Sequence, residues 1–241
     1  MAKYEKNVYI AMLAEQCNRF EEMIDYLEDM LKARDKDLTS DERNLLSIAY
    51  KNSVSSRRTA LRTIMAYEMK EKKKENSTFL PYIQEYRKKV EEELTKTCNN
   101  VLASIDNFLL KRAEDAEGKV FYLKMKGDYN RYVAEYAQGD LKDKTGKEAL
   151  NSYKQASEHA KSLSHIHPIG LGLALNFSVF HYEVMNDHET ACKIAQETLD
   201  NANKELPGID EDDESNRDAL SIINLLRENL EMWKIEGEDD K

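Results

Sequence analysis

The sequence has few of the residues that interrupt helices. Only three prolines and eight glycines occur in 241 residues, while 34% of the chain is charged and 41% is hydrophobic. Proline and glycine are the least favourable residues in a helix interior, so their scarcity favours long helices over sheets. The hydrophobic fraction is large enough to form a core. We therefore predict an all-α protein of about nine helices.

Other scarcities exclude several classes of protein. Cys17, Cys98 and Cys192 are odd in number and far apart, which argues against a disulfide framework or a zinc cluster. The longest nearly apolar run, Ile169–Phe180, is shorter than the roughly 20 residues that span a bilayer. A net charge of −10 argues against general nucleic-acid binding. With no signal-peptide core at the start, we expect a cytoplasmic protein, also nuclear, with no cofactor and no membrane or nucleic-acid partner.

Chain breaks and hydrophobic periodicity locate the expected helices. The segment "TSDE" resembles a capping box, and we assign Ser40 as its N-cap. The expected helices are approximately 3–18, 20–33, 40–74, 82–112, 117–138, 147–163, 169–185, 187–206 and 216–235. The segment "GDLKDKTG" before the sixth helix is expected to be a loop or a fraying start. We predict a single helical domain over residues 1–235 and a short, acidic, disordered tail over 236–241.

One basic helix face stands out in this acidic chain. The stretch "RNLLSIAYKNSVSSRRTALR" lies in a region without Asp or Glu between Glu42 and Glu68. At 100° per residue, Arg58 and Arg62 each lie within about 20° of Lys51 around the helix axis, whereas Arg57 points elsewhere. Such a face is either a solvated surface or half of an anion site.

A second group of charges lies in "VFYLKMKGDYNRYVAE". Lys124, Asp128 and Arg131 share one helix face at i, i+4 and i+7, so Asp128 could hold both cations in place. The alternative is an ordinary salt ladder. Tyr132 beside Arg131 favours the anion site, because a phenol next to a guanidinium is a good phosphate contact.

Two further helices each carry an apolar row that contains a single asparagine. Either row is a core stripe that tolerates a polar residue, or it is the wall of a peptide groove in which the carboxamide binds peptide backbone. In one helix, Leu175 and Val179 are spaced i, i+4, and Asn176 and Glu183 are spaced i, i+7. In the other helix the row consists of Ile222, Leu225, Asn229 and Met232, with Trp233 close by.

Catalytic and metal motifs are weak. "HETAC" departs from H-E-x-x-H because Cys192 replaces the second histidine. "GLG" at Gly170 is not a dinucleotide fingerprint, and no P-loop occurs. We therefore expect no enzyme activity and no metal.

Four blocks together resemble a known family. "RNLLSIAYKN", "KVFYLKMKGDY", "LGLALNFSVF" and "LLRENL…W" are similar, in order and spacing, to the signature blocks of the 14-3-3 proteins, and the resemblance runs from Leu13 to Trp233. It implies a cup of nine antiparallel helices that dimerises through the helices before about residue 75. It also implies one amphipathic groove per protomer for a phosphoserine or phosphothreonine segment.

The resemblance assigns roles to individual residues. It implies that the phosphate is held by Lys51, Arg58, Arg131 and Tyr132. It implies a peptide groove formed by Lys124, Leu175, Asn176, Val179, Glu183, Ile222, Leu225, Asn229 and Trp233. It implies a dimer interface formed by Leu13, Cys17, Arg19, Glu22, Ile64, Tyr67, Tyr86, Lys89 and Glu93, with ion pairs Arg19–Glu93 and Glu22–Lys89.

The chain departs from the family pattern at positions near these sites, while its four phosphate residues are intact. The departures are Cys17, Ala60, Leu61, Asn130, Gly170, Ser221 and Met232. The function expected from the resemblance is a dimeric regulatory adaptor that clamps, masks or scaffolds phosphorylated clients in signalling, as a homodimer or a heterodimer. The alternative is a helical-repeat scaffold of the tetratricopeptide kind that binds unphosphorylated peptides.

Overall fold

The computed structural model describes residues 4–74, 76–208 and 216–239, and within them the chain forms nine helices and no strands. The prediction of an all-α fold is confirmed. The helices are α1 Glu5–Gln16, α2 Phe20–Lys32, α3 Ser40–Lys72, α4 Leu80–Arg112, α5 Ala116–Ala134, α6 Gly139–Ala160, α7 Pro168–Glu183, α8 His188–Glu205 and α9 Arg217–Asp239. Near its end α4 contains a π-helical turn, Ile105–Leu109.

The chain divides into two compact units, Met1–Arg112 and Ala113–Lys241. The first unit contains α1–α4 and the second contains α5–α9. The single domain expected from the sequence stays a prediction.

The first unit is held together around α3. The buried ring of Tyr50 places its hydroxyl 2.7 Å from Glu28 Oε1 on α2, and Ser104 on α4 donates to the same oxygen at 2.5 Å. Burial, together with the nearby Glu28 charge, raises the pKa of the Tyr50 hydroxyl far above its ordinary value. Tyr50 therefore stays a neutral donor, and one carboxylate joins three helices.

The N-cap of α3 lies one residue before the residue predicted from the sequence. Thr39, and not Ser40, is the N-cap: its side chain accepts from the Glu42 amide, and the Glu42 carboxylate accepts from the Thr39 amide. The box "TSDE" was identified correctly, but its first residue is the cap, since the reciprocal bonds require a spacing of three.

One internal turn and two helix boundaries also differ from prediction. The π-helical turn in α4 was not predicted. Helix α6 begins at Gly139, so "GDLKDKTG" is the start of the helix, and the alternative of a loop is wrong. Helix α9 continues to Asp239, so residues 236–239 are helical where a disordered tail was expected, and residues 240–241 lie outside the described part.

The second unit has two packed regions. Helix α5 packs closely against α6, where Gly127 faces the ring of Tyr153. Helices α7, α8 and α9 share an apolar cluster in which four alanines of α8 and α9 allow close approach of the helices. The cluster consists of Leu171, Ala191, Ala195, Leu199, Ala202, Ala219, Ile223, Leu226, Leu230 and Trp233.

Candidate functional site

Arg131 on α5 is buried and held by several groups at once. Its Nε donates to the Tyr153 hydroxyl at 3.2 Å, and its Nη1 lies 3.1 Å from Glu135 Oε1. The guanidinium carbon lies 4.7 Å from the centre of the Tyr132 ring. Burial acts to lower the pKa of Arg131, but Tyr153, Tyr132, Asp128 and Glu135 outweigh it and raise that pKa. The guanidinium is thus fully charged, with its orientation fixed.

Asp128 lies at the centre of this network and is only 5% exposed. Its Oδ2 accepts from Lys124 Nζ at 2.8 Å, and Arg131 Nη2 lies 3.8 Å from its Oδ1. The same Oδ1 accepts from the Tyr153 hydroxyl at 2.6 Å and from Asn176 Nδ2 at 2.8 Å. The sequence prediction that Asp128 holds Lys124 and Arg131 is confirmed.

These contacts determine the protonation of the network. Burial acts to raise the pKa of Asp128, but Lys124, Arg131 and the donated hydrogen bonds hold it below its ordinary value. Burial and the Asp128 charge raise the pKa of Tyr153 well above its ordinary value. At neutral pH the carboxylate is therefore ionised and the phenol is protonated.

The apolar residues predicted for the groove lie on α7 and α9 of the second unit, and we call them the apolar wall: Leu175, Val179, Ile222 and Leu225. Leu175, Val179 and Ile222 are partly buried and pack on the apolar cluster. A β-carbon on Gly172 would lie 3.5 Å from Lys124 Cε and 4.0 Å from Ile222 Cδ1, so the lysine stem passes beside this wall. Leu225 is 45% exposed and extends the apolar surface along α9.

The remaining groove residues differ in exposure. Asn229 is half-buried, and Glu183 is exposed at the end of α7. Trp233 is buried in the apolar cluster, where its ring stacks on Tyr182 with centroids 4.7 Å apart. We infer that Trp233 supports the wall from behind.

The basic face of α3 lies in the first unit. Lys51 is exposed and Arg58 is half-buried, while Tyr50, Val54 and Leu61 on the neighbouring face of the helix are buried. Arg57 contacts other groups: its Nη1 lies 2.9 Å from Glu21 Oε1 and 2.9 Å from the Ser53 carbonyl oxygen. The prediction that Arg57 faces away from Lys51 and Arg58 is confirmed. Of the four residues predicted to bind phosphate, Lys51 and Arg58 belong to the first unit, and Arg131 and Tyr132 belong to the second.

Sequence reasoning missed Tyr153 and Glu135. Tyr153 lies on α6, 22 residues from Arg131, and no local pattern links the two. Glu135 follows Arg131 by four residues, a spacing at which a helical ion pair was readable from the sequence.

Most residues of the predicted dimer interface lie on the surface of the first unit. Leu13, Tyr67 and Tyr86 are more than half exposed, and Cys17, Lys89 and Glu93 are exposed. Ile64 is largely buried within the unit. Arg19 pairs with Glu22 of the same chain, and Glu93 Oε2 lies 3.8 Å from Arg57 Nε. The predicted pairs Arg19–Glu93 and Glu22–Lys89 stay predictions for a dimer.

Within the described ranges, no group of His, Cys, Asp and Glu is arranged to hold a metal ion. In "HETAC", the His188 ring stacks on Tyr182, with centroids 4.2 Å apart. None of the helices in the described part of the chain is both long and apolar enough to cross a membrane.

Comparison with known proteins identifies the family. A family model described as "14-3-3 protein" matches residues 10–234. The chain is 46% identical to 14-3-3 protein 6 of Solanum lycopersicum over 239 residues, and this match covers 98% of the chain and 92% of that protein. The 14-3-3-like protein 16R of Solanum tuberosum gives the same identity and coverage. The 14-3-3 protein homolog of Trichoderma harzianum is 46% identical over 231 residues, with 95% of this chain and 87% of that protein covered. The chain belongs to the 14-3-3 family.

Proposed function

We propose that this protein is a non-enzymatic adaptor that binds phosphoserine or phosphothreonine segments of client proteins and clamps, masks or scaffolds them. The observation that carries the proposal is the buried network around Arg131. A guanidinium held by Tyr153 and Glu135, with Tyr132 against its face, is oriented before a ligand arrives. Preorganised cations bind an anion strongly, because little conformational entropy is lost on binding.

The proposal assigns the phosphate to Lys51, Arg58, Arg131 and Tyr132. A phosphate group carries about −1.5 to −2 charges and three acceptor oxygens at neutral pH. Arginine forks and a phenol donor suit those oxygens, whereas the net charge of −10 repels extended polyanions. The site is therefore expected to select a single phosphate on a peptide over nucleic acid.

The apolar wall of α7 and α9 is proposed to receive the rest of the peptide. Leu175, Val179, Ile222 and Leu225 offer apolar contacts along one side. Asn176 and Asn229 offer carboxamides, which can bind both the N–H and the C=O groups of an extended backbone. Lys124 and Glu183 add a charge of each sign, and Trp233 stabilises the wall.

We further propose that the protein is a homodimer, or a heterodimer with a relative, formed through the exposed face of the first unit. Leu13, Tyr67 and Tyr86 supply exposed apolar surface for this contact. Two grooves in one dimer would engage two sites of one client and raise avidity through effective concentration. The location that we propose is the cytoplasm, and also the nucleus.

Family membership favours this function over the helical-repeat scaffold for unphosphorylated peptides. The test compares Arg58→Gln with Arg57→Gln, two neighbours of identical chemistry, by fluorescence anisotropy with a labelled phosphoserine peptide. Loss of one charged hydrogen-bond partner should weaken binding about 10- to 100-fold in Arg58→Gln. Arg57→Gln should bind within about twofold of wild type, since Arg57 contacts Glu21 and Ser53. Equal losses in both variants would contradict the assignment.

A further inference from the structure

Three groups proposed to bind the ligand converge on one buried carboxylate. Lys124, Arg131 and Asn176 all contact Asp128, which is itself too deeply buried to touch a peptide. These residues come from α5 and α7 of the second unit. Asp128 therefore acts on a ligand only through its neighbours.

The contact with Asn176 fixes which end of the carboxamide faces outward. An ionised carboxylate accepts hydrogen bonds and donates none. Asp128 stays ionised because Lys124 and Arg131 hold the pKa of its carboxyl down against the effect of burial. The Asn176 group facing Asp128 Oδ1, at 2.8 Å, must then be the amide nitrogen. The Asn176 carbonyl oxygen is directed away from Asp128.

We infer that Asp128 is a positioning residue that makes Asn176 an acceptor, so that the groove selects a peptide backbone N–H at the point where Asn176 meets the ligand. This inference rests on the proposed function. It goes beyond phosphate recognition, because it predicts that one particular amide hydrogen of the bound segment is required. A proline or an N-methylated residue at that position is rejected.

Tyr153 reinforces the arrangement. Its hydroxyl donates to the same Asp128 oxygen at 2.6 Å, and burial keeps it protonated. Oδ1 therefore has two neutral donors, Tyr153 and Asn176, while Oδ2 receives the Lys124 ammonium. Turning the Asn176 carboxamide over would bring its carbonyl oxygen against the carboxylate, which is repulsive in a buried site.

The substitution Asp128→Asn removes this constraint and keeps the shape. An asparagine at position 128 can donate as well as accept, so the Asn176 carboxamide can take either orientation. The matched control is Glu135→Gln, which removes a carboxylate from Arg131 without touching Asn176. Comparing the two variants separates the effect of the Asn176 orientation on binding from the effect of the charge around Arg131.

The experiment measures the affinity of a phosphoserine peptide and of copies in which each backbone nitrogen is methylated in turn. In wild type, methylation at one position should weaken binding by about tenfold or more, the value of one lost hydrogen bond. Asn176→Leu should lose this sensitivity at that position, and Asp128→Asn should reduce it to less than about threefold. Glu135→Gln should keep it, whatever its effect on overall affinity.

The outcomes separate the inference from the proposed function. Two results would overturn the positioning role alone. In the first, folded Asp128→Asn is as sensitive to backbone methylation as wild type. In the second, wild type prefers the phosphorylated peptide but is sensitive to methylation at no position. Equal binding of phosphorylated and unphosphorylated peptides by wild type would overturn the function as well.

A second measurement covers the case in which Asp128→Asn fails to fold. This measurement is the NMR spectrum of ¹⁵N-labelled wild type, in which the side-chain amide signal of Asn176 is assigned by its loss in Asn176→Leu. One proton of that amide should be shifted downfield and protected from exchange with solvent. A solvent-averaged amide signal would overturn the inference.

Discussion

Gly127 packs directly against the ring of Tyr153, so closely that a β-carbon on Gly127 would lie 2.6 Å from Tyr153 Cε1. The ring cannot move away easily, because it is fully buried and stacks on Phe177 with centroids 5.3 Å apart. The absence of a side chain at residue 127 therefore sets the position of the hydroxyl that binds Asp128 and Arg131.

Gly127→Ala is expected to destabilise the protein by about 1–3 kcal/mol, the usual cost of overpacking a core. It should also weaken phosphopeptide binding, because the Tyr153 hydroxyl is displaced. Urea unfolding and anisotropy titration measure the two effects. The control is Gly146→Ala on α6, where a β-carbon meets no atom within 4 Å and the free energy of unfolding should rise by up to about 1 kcal/mol. A Gly127→Ala variant as stable as wild type would contradict the packing argument.

Glu68 provides a pH-dependent link between α3 and α4. Its carboxylate lies 2.7 Å from Lys72 Nζ and 2.9 Å from Arg87 Nη1, and Gln84 Nε2 donates to it at 3.2 Å. The bonds from Lys72 and Arg87 lower the pKa of Glu68 from 4.5 to about 2. A lowered folded-state pKa stabilises the fold above the unfolded-state pKa, and this stabilisation is lost as pH falls from about 4.5 to about 2.

Glu68→Gln should therefore lower the free energy of unfolding by about 3 kcal/mol at pH 7. The difference from wild type should shrink as pH falls below about 4.5, because protonation removes the same charge from wild type. Urea unfolding between pH 7 and pH 3 measures it, with the exposed Glu92→Gln as the control. A difference that is constant with pH would show that the charge of Glu68 is not responsible.

The start of α3 gives a test between two adjacent residues. Thr39→Ala should destabilise the protein by about 1 kcal/mol, since it removes the side chain that accepts from the Glu42 amide. Ser40→Ala, at the first helical position, should change stability by less than about 0.5 kcal/mol. Thermal unfolding of the two variants makes the comparison, and a larger effect at Ser40 would contradict the capping assignment.

The proposed dimer predicts a change of mass. Leu13→Asp places a charge on the exposed apolar face of the first unit, so the variant should sediment as a monomer of 28.0 kDa with unchanged helix content. Met232→Asp, at an exposed methionine of α9, should leave the dimer intact. Sedimentation equilibrium distinguishes the outcomes, and a Leu13→Asp protein with the wild-type mass would exclude this face as the interface.

The sequence predicted whatever depends on helical period. The different direction of Arg57 from its neighbour Arg58 follows from 100° per residue, as does the shared face of Lys124, Asp128 and Arg131. The contact of Arg57 with Glu21 and the contacts of Lys124 and Arg131 with Asp128 agree with these predictions. What the sequence could not predict depends on packing between helices. The pairing of Tyr153 with Arg131 and the burial of Trp233 require knowledge of which helix faces meet.

Helix boundaries form a third category. The π-helical turn Ile105–Leu109 has no signal in the sequence pattern, and the glycines at the two ends of "GDLKDKTG" favour a loop where the structure has the first turns of a helix. At the start of α3 the capping motif is readable from the sequence, but its spacing alone leaves Thr39 and Ser40 as candidate caps, and the structure has Thr39.

The most direct test of the central claim is a titration of wild-type protein with one labelled peptide in two forms, phosphorylated and unphosphorylated on a single serine. With two arginines and one lysine assigned to the phosphate, the phosphorylated form should bind at least about 100-fold more tightly. Equal affinity for the two forms would contradict phosphate recognition and would favour a scaffold that binds unphosphorylated peptides.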